Sequence, residues 1–227
     1  MAEPHSPHAA RAKLDDPVTV LLQRATLGRR HIVGLVGLPG AGKSTLAQRW
    51  CTQVNAARQA QGLAPTMQTL GMDGFHLSRA RLSAMPNPAE ALARRGAEWT
   101  FDPAALRAHL QALRQSHAPT LTWPDFDHEH GDPVEAALCV PASSQLILVE
   151  GLYLLLPDAD WSLKPLFDEV WFLDTSPAQA QQQLVQRHMR VWGWDEARAR
   201  ERAQASDALN AQRVWSTRAF ADAWVQP

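Results

Sequence analysis

The stretch that decides the fold is His31-Ile-Val-Gly-Leu-Val36, followed by Gly37-Leu-Pro-Gly-Ala-Gly-Lys43-Ser44 and then Thr45-Leu-Ala-Gln-Arg-Trp50. The first six residues form a short apolar run typical of a buried strand, and the last segment carries a helical pattern. Between them the chain fits G-x-x-x-x-G-K-[ST], in the strand, loop and helix setting that this phosphate-binding motif requires. Glycines let the backbone curl so that successive N–H groups point inward at phosphate oxygens, and the helix start adds partial positive charge. Gly37, Leu38, Pro39, Gly40, Ala41, Gly42, Lys43, Ser44 and Thr45 are therefore expected to hold a nucleoside triphosphate. Lys43 would bridge the outer phosphates and the Ser44 hydroxyl would ligate Mg2+.

On either side of this segment, strands and helices alternate. Pro17 to Leu27 shows an amphipathic helical spacing, with Asp15 or Asp16 as N-cap and Gly28 as its end. Met67 to Met72 reads as a second strand, Leu121 to Trp123 as a third, Gln145 to Val149 as the most strand-like segment, and Asp168 to Leu173 as another. Ser78 to Ser116 is mostly helical, broken at Pro86, Pro88 and Gly96, with Asp102 and Pro103 opening a helix that runs to Arg114. From Ser176 the pattern is helical, with arginines dense between Arg187 and Arg202, before a last short strand at Ala221 to Val225. This alternation predicts an α/β fold, a mainly parallel sheet with helices on both faces and binding residues at the strands' carboxyl ends. Residues 1–14 are expected to be a disordered tail and residues 15–227 a single domain.

Two acids sit where such a sheet places chemistry. Asp73 follows the second strand and can accept a proton from an attacking hydroxyl or hold a metal-bound water, although Asp-Gly is also a common turn. Glu150 stands where a long apolar strand stops, as a Walker-B carboxylate does beside magnesium. Ser44, Glu150 and Asp73 are thus the candidate metal residues.

With 227 residues, 45% hydrophobic and 20% charged, the chain can bury a real core, and its net charge of −1 exerts no general pull on nucleic acid or anionic membrane. Cys51 and Cys139 suggest no disulfide framework, and no run of ~18 apolar residues suggests a membrane span. A cytoplasmic location is the default expectation. The nine tryptophans lack the basic interleaving of a single-strand stacking platform, while Trp192 and Trp194 could cover a bound nucleotide.

Met72-Asp-Gly-Phe-His-Leu77, Arg95-Gly-Ala-Glu-Trp-Thr-Phe-Asp102, Pro124-Asp-Phe-Asp-His128 with Asp132-Pro133, and Val149-Glu-Gly-Leu-Tyr-Leu-Leu-Leu156 occur in this order. Together with the glycine loop they resemble the P-loop kinases grouped with phosphoribulokinase, uridine kinase and bacterial pantothenate kinase, above all the nucleoside/nucleotide kinase-like or fructose-transport-system kinase-like branch. The resemblance runs from about Val18 to the C-terminus. It implies a P-loop NTPase fold with a helical lid near residues 186–205, and phosphoryl transfer from ATP, with Mg2+, to a hydroxyl of a small metabolite. It further implies Asp73 as base or magnesium-linked acid, Glu150 as the acid of a Glu-Gly motif, and Arg187 and Arg190 as lid arginines over the triphosphate. With Lys43 and Asp73, these arginines make up the expected catalytic set. His76, Arg95, Asp127 and His128 fall on the acceptor side. Asp127, His128 and His130 could alternatively be metal ligands, and Arg95 with Arg94 could read an anionic acceptor or simply end a surface helix. Ser206-Asp207-Ala-Leu-Asn210 departs from the branch's pattern, with Ser206 where Asn is usual. A homodimer stays open as the assembly, with no nucleic-acid or membrane partner expected. The rival reading is a nucleotide-dependent switch, which needs no acceptor; the chain lacks an evident guanine-reading Asn-Lys-x-Asp motif.

Overall fold

The computed structural model describes residues 12–26, 29–115, 120–127 and 129–227. Its centre is a six-stranded sheet, ordered β1-β8-β7-β2-β6-β3, in which every neighbouring pair is parallel. The strands are β1 (Ala12–Leu14), β2 (His31–Val36), β3 (Met67–Gly71), β6 (Leu146–Gly151), β7 (Glu169–Leu173) and β8 (Ala223–Val225). All six residues of β2 are buried, and β6 and β7 are nearly so. Such runs suit strands covered on both faces, because no position along them faces water. A separate antiparallel hairpin joins β4 (Thr120–Asp127) to β5 (Asp132–Pro141).

The helices bury apolar stripes against this sheet. In α2 (Lys43–Ala60), Leu46, Ala47, Trp50, Cys51 and Val54 are buried, and Trp50 meets Trp171 of β7 edge to face at 6.1 Å. α1 (Pro17–Arg24) is capped by Asp16, whose carboxylate accepts from the Thr19 amide at 3.0 Å. Between β3 and β4 lie α3 (Arg79–Ser83), α4 (Pro88–Ala93) and α5 (Pro103–Gln115), the last burying Leu106, Leu110 and Leu113. After β7 come α6 (Pro177–Trp192), α7 (Glu196–Gln204) and α8 (Ser206–Trp215), and Leu184, Val185, Ala199 and Ala203 form a small core between α6 and α7.

Four expectations change. Ala12–Leu14, assigned to the tail, pairs in parallel with Ala223–Val225 as the sheet's edge; a three-residue strand held by backbone bonds carries no legible period. The strand expected at Leu121 to Trp123 runs further, since Asp125 to Asp127 continue β4 and Asp132 opens β5, with a register irregularity at Trp123/Asp125. Half of β5 is exposed and only Val140 is buried, which hides its alternation. The helical C-terminal region breaks at Gly193, with φ of 64°, and at Ala205. Helix α1 stops at Arg24, and Leu27 and Gly28 lie outside the described residues.

The hairpin is clamped onto the 3-10 turn Asp73–Phe75 that follows β3. Phe75 packs edge-on against Trp123 at 5.0 Å, and the Trp123 indole donates to the Gly71 carbonyl at 2.8 Å. Gly74 passes so close to the hairpin that a Cβ there would lie 2.2 Å from the Pro124 carbonyl oxygen. Gly74→Ala should therefore cost about 1–3 kcal/mol, the range for overpacking a tight contact, measured as a lowered urea midpoint.

At the opposite end of the sheet, Glu169 accepts from Arg24 Nε at 2.7 Å and Trp171 Nε1 at 3.0 Å, and lies 3.1 Å from His31 Nε2. Burial alone would raise the Glu169 carboxyl, but the hydrogen bonds from His31, Arg24 and Trp171 outweigh it and bring it down to about 2. A carboxyl depressed in the folded state stabilises fully above its unfolded pKa of about 4.3, and that contribution is lost as pH falls through the folded value. Stability should thus decline on acidification from pH ~5 towards ~2. Glu169→Gln should lower neutral-pH stability by about 2–3 kcal/mol and flatten the acid limb, as read by urea unfolding at several pH values.

Candidate active site

The carboxyl end of β2 turns into the glycine loop because Gly40 and Gly42 take φ of 80° and 89°, a region costly for residues with a Cβ. Gly42 is the N-cap of α2, so the helix begins at Lys43 and its first-turn amides open onto the loop. The Lys43 ammonium is folded back, donating to the carbonyls of Gly37 at 3.0 Å and Leu38 at 3.2 Å. Gly40 lies against α6; a Cβ there would sit 2.2 Å from the Ala180 carbonyl oxygen and 2.8 Å from Leu184 Cβ.

Parallel register delivers the first carboxylate. Glu150 on β6 stands opposite Leu35 of β2 and Gly71 of β3, one residue short of where β2 becomes the loop. The Ser44 hydroxyl donates to Glu150 Oε1 at 2.7 Å. Burial raises the Glu150 carboxyl, with the Lys43 charge opposing, and burial lowers the Lys43 ammonium, with Glu150 and Asp73 opposing. Asp73 and Arg187 act electrostatically on both groups, which places all four charges in one field. The convergent Ser44 hydroxyl and Glu150 carboxylate, with Asp73 close by, are the hard oxygen donors that magnesium takes, so the donor set fits that ion.

A cleft of about 530 Å3 runs over the loop, walled by its residues, by Arg49 of α2, and by Gln183, Gln186, Arg187 and Arg190 of α6. The two expected lid arginines thus face the loop. Arg49, Gln183, Gln186 and the cleft-lining Pro227 were missed in the sequence. Gln183, Gln186, Arg187 and Arg190 follow i, i+3, i+4, i+7, so their common helical face was the available signal.

The acceptor-side residues gather around the hairpin rather than at the loop. His76 Nδ1 lies 2.8 Å from the Asp73 carbonyl, and its ring packs 3.9 Å from Phe101 and 4.9 Å from Phe126. Arg95 is 13% exposed; it donates to the Gly131 carbonyl, to Leu77 O at 3.1 Å and to Asp132 Oδ1 at 2.7 Å. Through these contacts the Arg95 guanidinium holds the hairpin turn. Asp127 caps that turn, accepting from the amides of Glu129 and His130 and pairing with the His130 ring, and these hydrogen bonds bring its carboxyl to about 2. His128 lies outside the described residues. Trp192 and Trp194 do not line the cleft. Trp192 stacks on His188 at 4.3 Å and Trp194 follows at 4.6 Å, because His188 is buried and bonded to Asp207 at 2.9 Å across to α8.

No family model matches the chain. Over 152 residues it is 41% identical to ATP-dependent kinase-like protein notR' of Aspergillus versicolor, spanning 65% of this chain and 88% of that one. It is 35% identical over 185 residues to C227.14 of Schizosaccharomyces pombe, provisionally named a uridine kinase, with 80% and 77% covered. Among solved structures, a protein of Silicibacter sp. TM1040 provisionally named fructose transport system kinase superposes with a TM-score of 0.78 at 32% identity, covering 93% of this chain and 100% of the other. On this fold, this loop and these relatives, the chain belongs to the P-loop kinases of the uridine kinase and phosphoribulokinase type.

Proposed function

We propose that the protein transfers the γ-phosphoryl group of ATP to a hydroxyl of a small metabolite, a sugar, nucleoside or pantothenate-like alcohol. The observation that supports this most directly is the convergence of Lys43, Ser44, Glu150 and Asp73 at the end of β2, with Arg187 acting on the same field. In this reading the amides from Gly37 to Thr45 cradle the phosphates, and Lys43 leaves its loop carbonyls to bridge the outer ones. Ser44 and Glu150, with Asp73 nearby, would hold magnesium, whose charge offsets that of the phosphates when bound. Asp73 takes the proton of the acceptor hydroxyl, from a turn braced by His76 and by the hairpin. Arg187 and Arg190 balance negative charge on the transferring group while α6 and α7 exclude water that would otherwise consume ATP. A switch would have no use for a carboxylate placed beside the loop on a wall built against a hairpin, so transfer is the better reading. Among acceptors we favour an unphosphorylated sugar or similar polyol, on the likeness to the fructose-transport-system branch. Among the described residues no helix is long and apolar enough to cross a membrane, and a cytoplasmic site of action is part of this proposal.

ADP release measured with a panel of sugars, nucleosides and pantothenate should rise with one class of acceptor. A rate indifferent to every member would favour the switch. With the active acceptor, Asp73→Asn should cut kcat by ~100-fold or more while leaving Mg-ATP binding within about threefold; parental turnover would overturn the assignment of Asp73. Arg187→Ala and Arg190→Ala should each lower kcat by ~10-fold or more and raise the fraction of ATP lost to hydrolysis, read as the ratio of ADP to phosphorylated product.

A further inference from the structure

A second cavity, of about 570 Å3, opens between the end of α4 and the elbow where α7 meets α8. It shares no lining residue with the nucleotide cleft. Arg94, Trp194, Arg198, Arg202, Gln204 and Ser206 make up its polar and aromatic wall, and Glu201 is the one carboxylate among its lining residues.

Ser206 is only 5% exposed, and its hydroxyl oxygen is buried without a hydrogen-bond partner. A buried hydroxyl left unpaired is expensive, and natural proteins rarely leave one without a reason. Ser206 also opens the ten-residue helix α8, whose N-terminus no side chain caps. The first amides of α8 and its dipole therefore present partial positive charge at the same wall. Two guanidinium groups add full charges. Arg94 is half-buried; among the described residues its one hydrogen bond runs from Nη2 to the neutral amide oxygen of Asn210 at 3.3 Å, and its Nε is buried without a partner. Arg198 is held against the face of Trp194, 4.3 Å from the ring centroid, an arrangement that leaves guanidinium N–H groups for a further ligand. Arg202, in contrast, is committed to the wall itself, donating to the carbonyls of Ala93 at 2.6 Å and Arg95 at 3.0 Å.

We infer that this cavity binds the phosphate or carboxylate group of a small anionic metabolite, with the Ser206 hydroxyl, the first amides of α8, Arg94 and Arg198 as its donors. Every unpaired group named is a hydrogen-bond donor, and two carry charge, which selects an anion over a neutral polar ligand. Glu201 is exposed and stands alone against them. Because the walls come from α4 on the acceptor side and from α7 and α8, an occupant ties these elements together and favours the arrangement of α7 seen here.

The test uses the full chain saturated with magnesium and β,γ-methylene-ATP, so that the glycine loop is filled. Inorganic phosphate or malonate is titrated in, with sodium chloride at matched ionic strength as reference, and thermal unfolding and tryptophan fluorescence are followed. A saturable rise in Tm beyond the chloride reference is expected, and R198Q and S206A should each weaken the apparent affinity about fivefold or more. A response to phosphate alone assigns a phosphorylated ligand, and one to malonate alone a carboxylated ligand. Arg198 is exposed, so R198Q decides the matter even if a change at Ser206 disturbs the elbow. No rise beyond chloride with either anion, or an undiminished rise in R198Q, would overturn the inference.

Discussion

The hydrogen bond from Ser44 to Glu150 joins residues 106 positions apart and depends on one register, that of β6 against β2. A slip of one residue would turn Glu150 to the other face of the sheet and remove it from the loop. What prevents the slip is burial on both faces, since Leu146 to Val149 and the whole of β2 are enclosed and no displaced pairing keeps every apolar side chain covered. The electrostatics of the site follow from the same enclosure. Lys43 and Glu150 lose water together, and each is the other's main compensation.

The turn after β3 is built on a different principle. Asp73 sits on a short turn with little structure of its own, and its position is borrowed from the hairpin through Phe75, Trp123 and the close passage of Gly74 beneath Pro124. Arg95 and Asp127 serve the hairpin's own turn, and His76 links Asp73 to Phe126. Three residues whose types suggested contact with substrate thus act first on protein, as a scaffold that aims the carboxylate.

Legibility in the sequence divided along the same line. The glycine loop, β2, β6 and β7 were readable because local chemistry and continuous apolar runs report directly on a buried parallel sheet. Asp73 and Glu150 could be placed because they stand where such strands stop. Edge strand β1 and hairpin strand β5 were not readable, since the first is only three residues long and half of the second faces water. The protein contacts of Arg95 and Asp127 were not readable for a related reason: residue type announces what a side chain can bind, while only the fold decides which protein groups reach it. Trp192 and Trp194 illustrate this again, since their ring partner is His188, a buried histidine that no motif marks out.

The contact of Gly40 with Ala180 and Leu184 joins the apex of the phosphate loop to the shaft of the helix that carries Arg187 and Arg190. Helix α6 is rigid over that span, rising about 1.5 Å per residue. The placement of both arginines over the cleft is therefore tied by direct packing to the apex of the loop, at residue 40, where even one methyl group has no room.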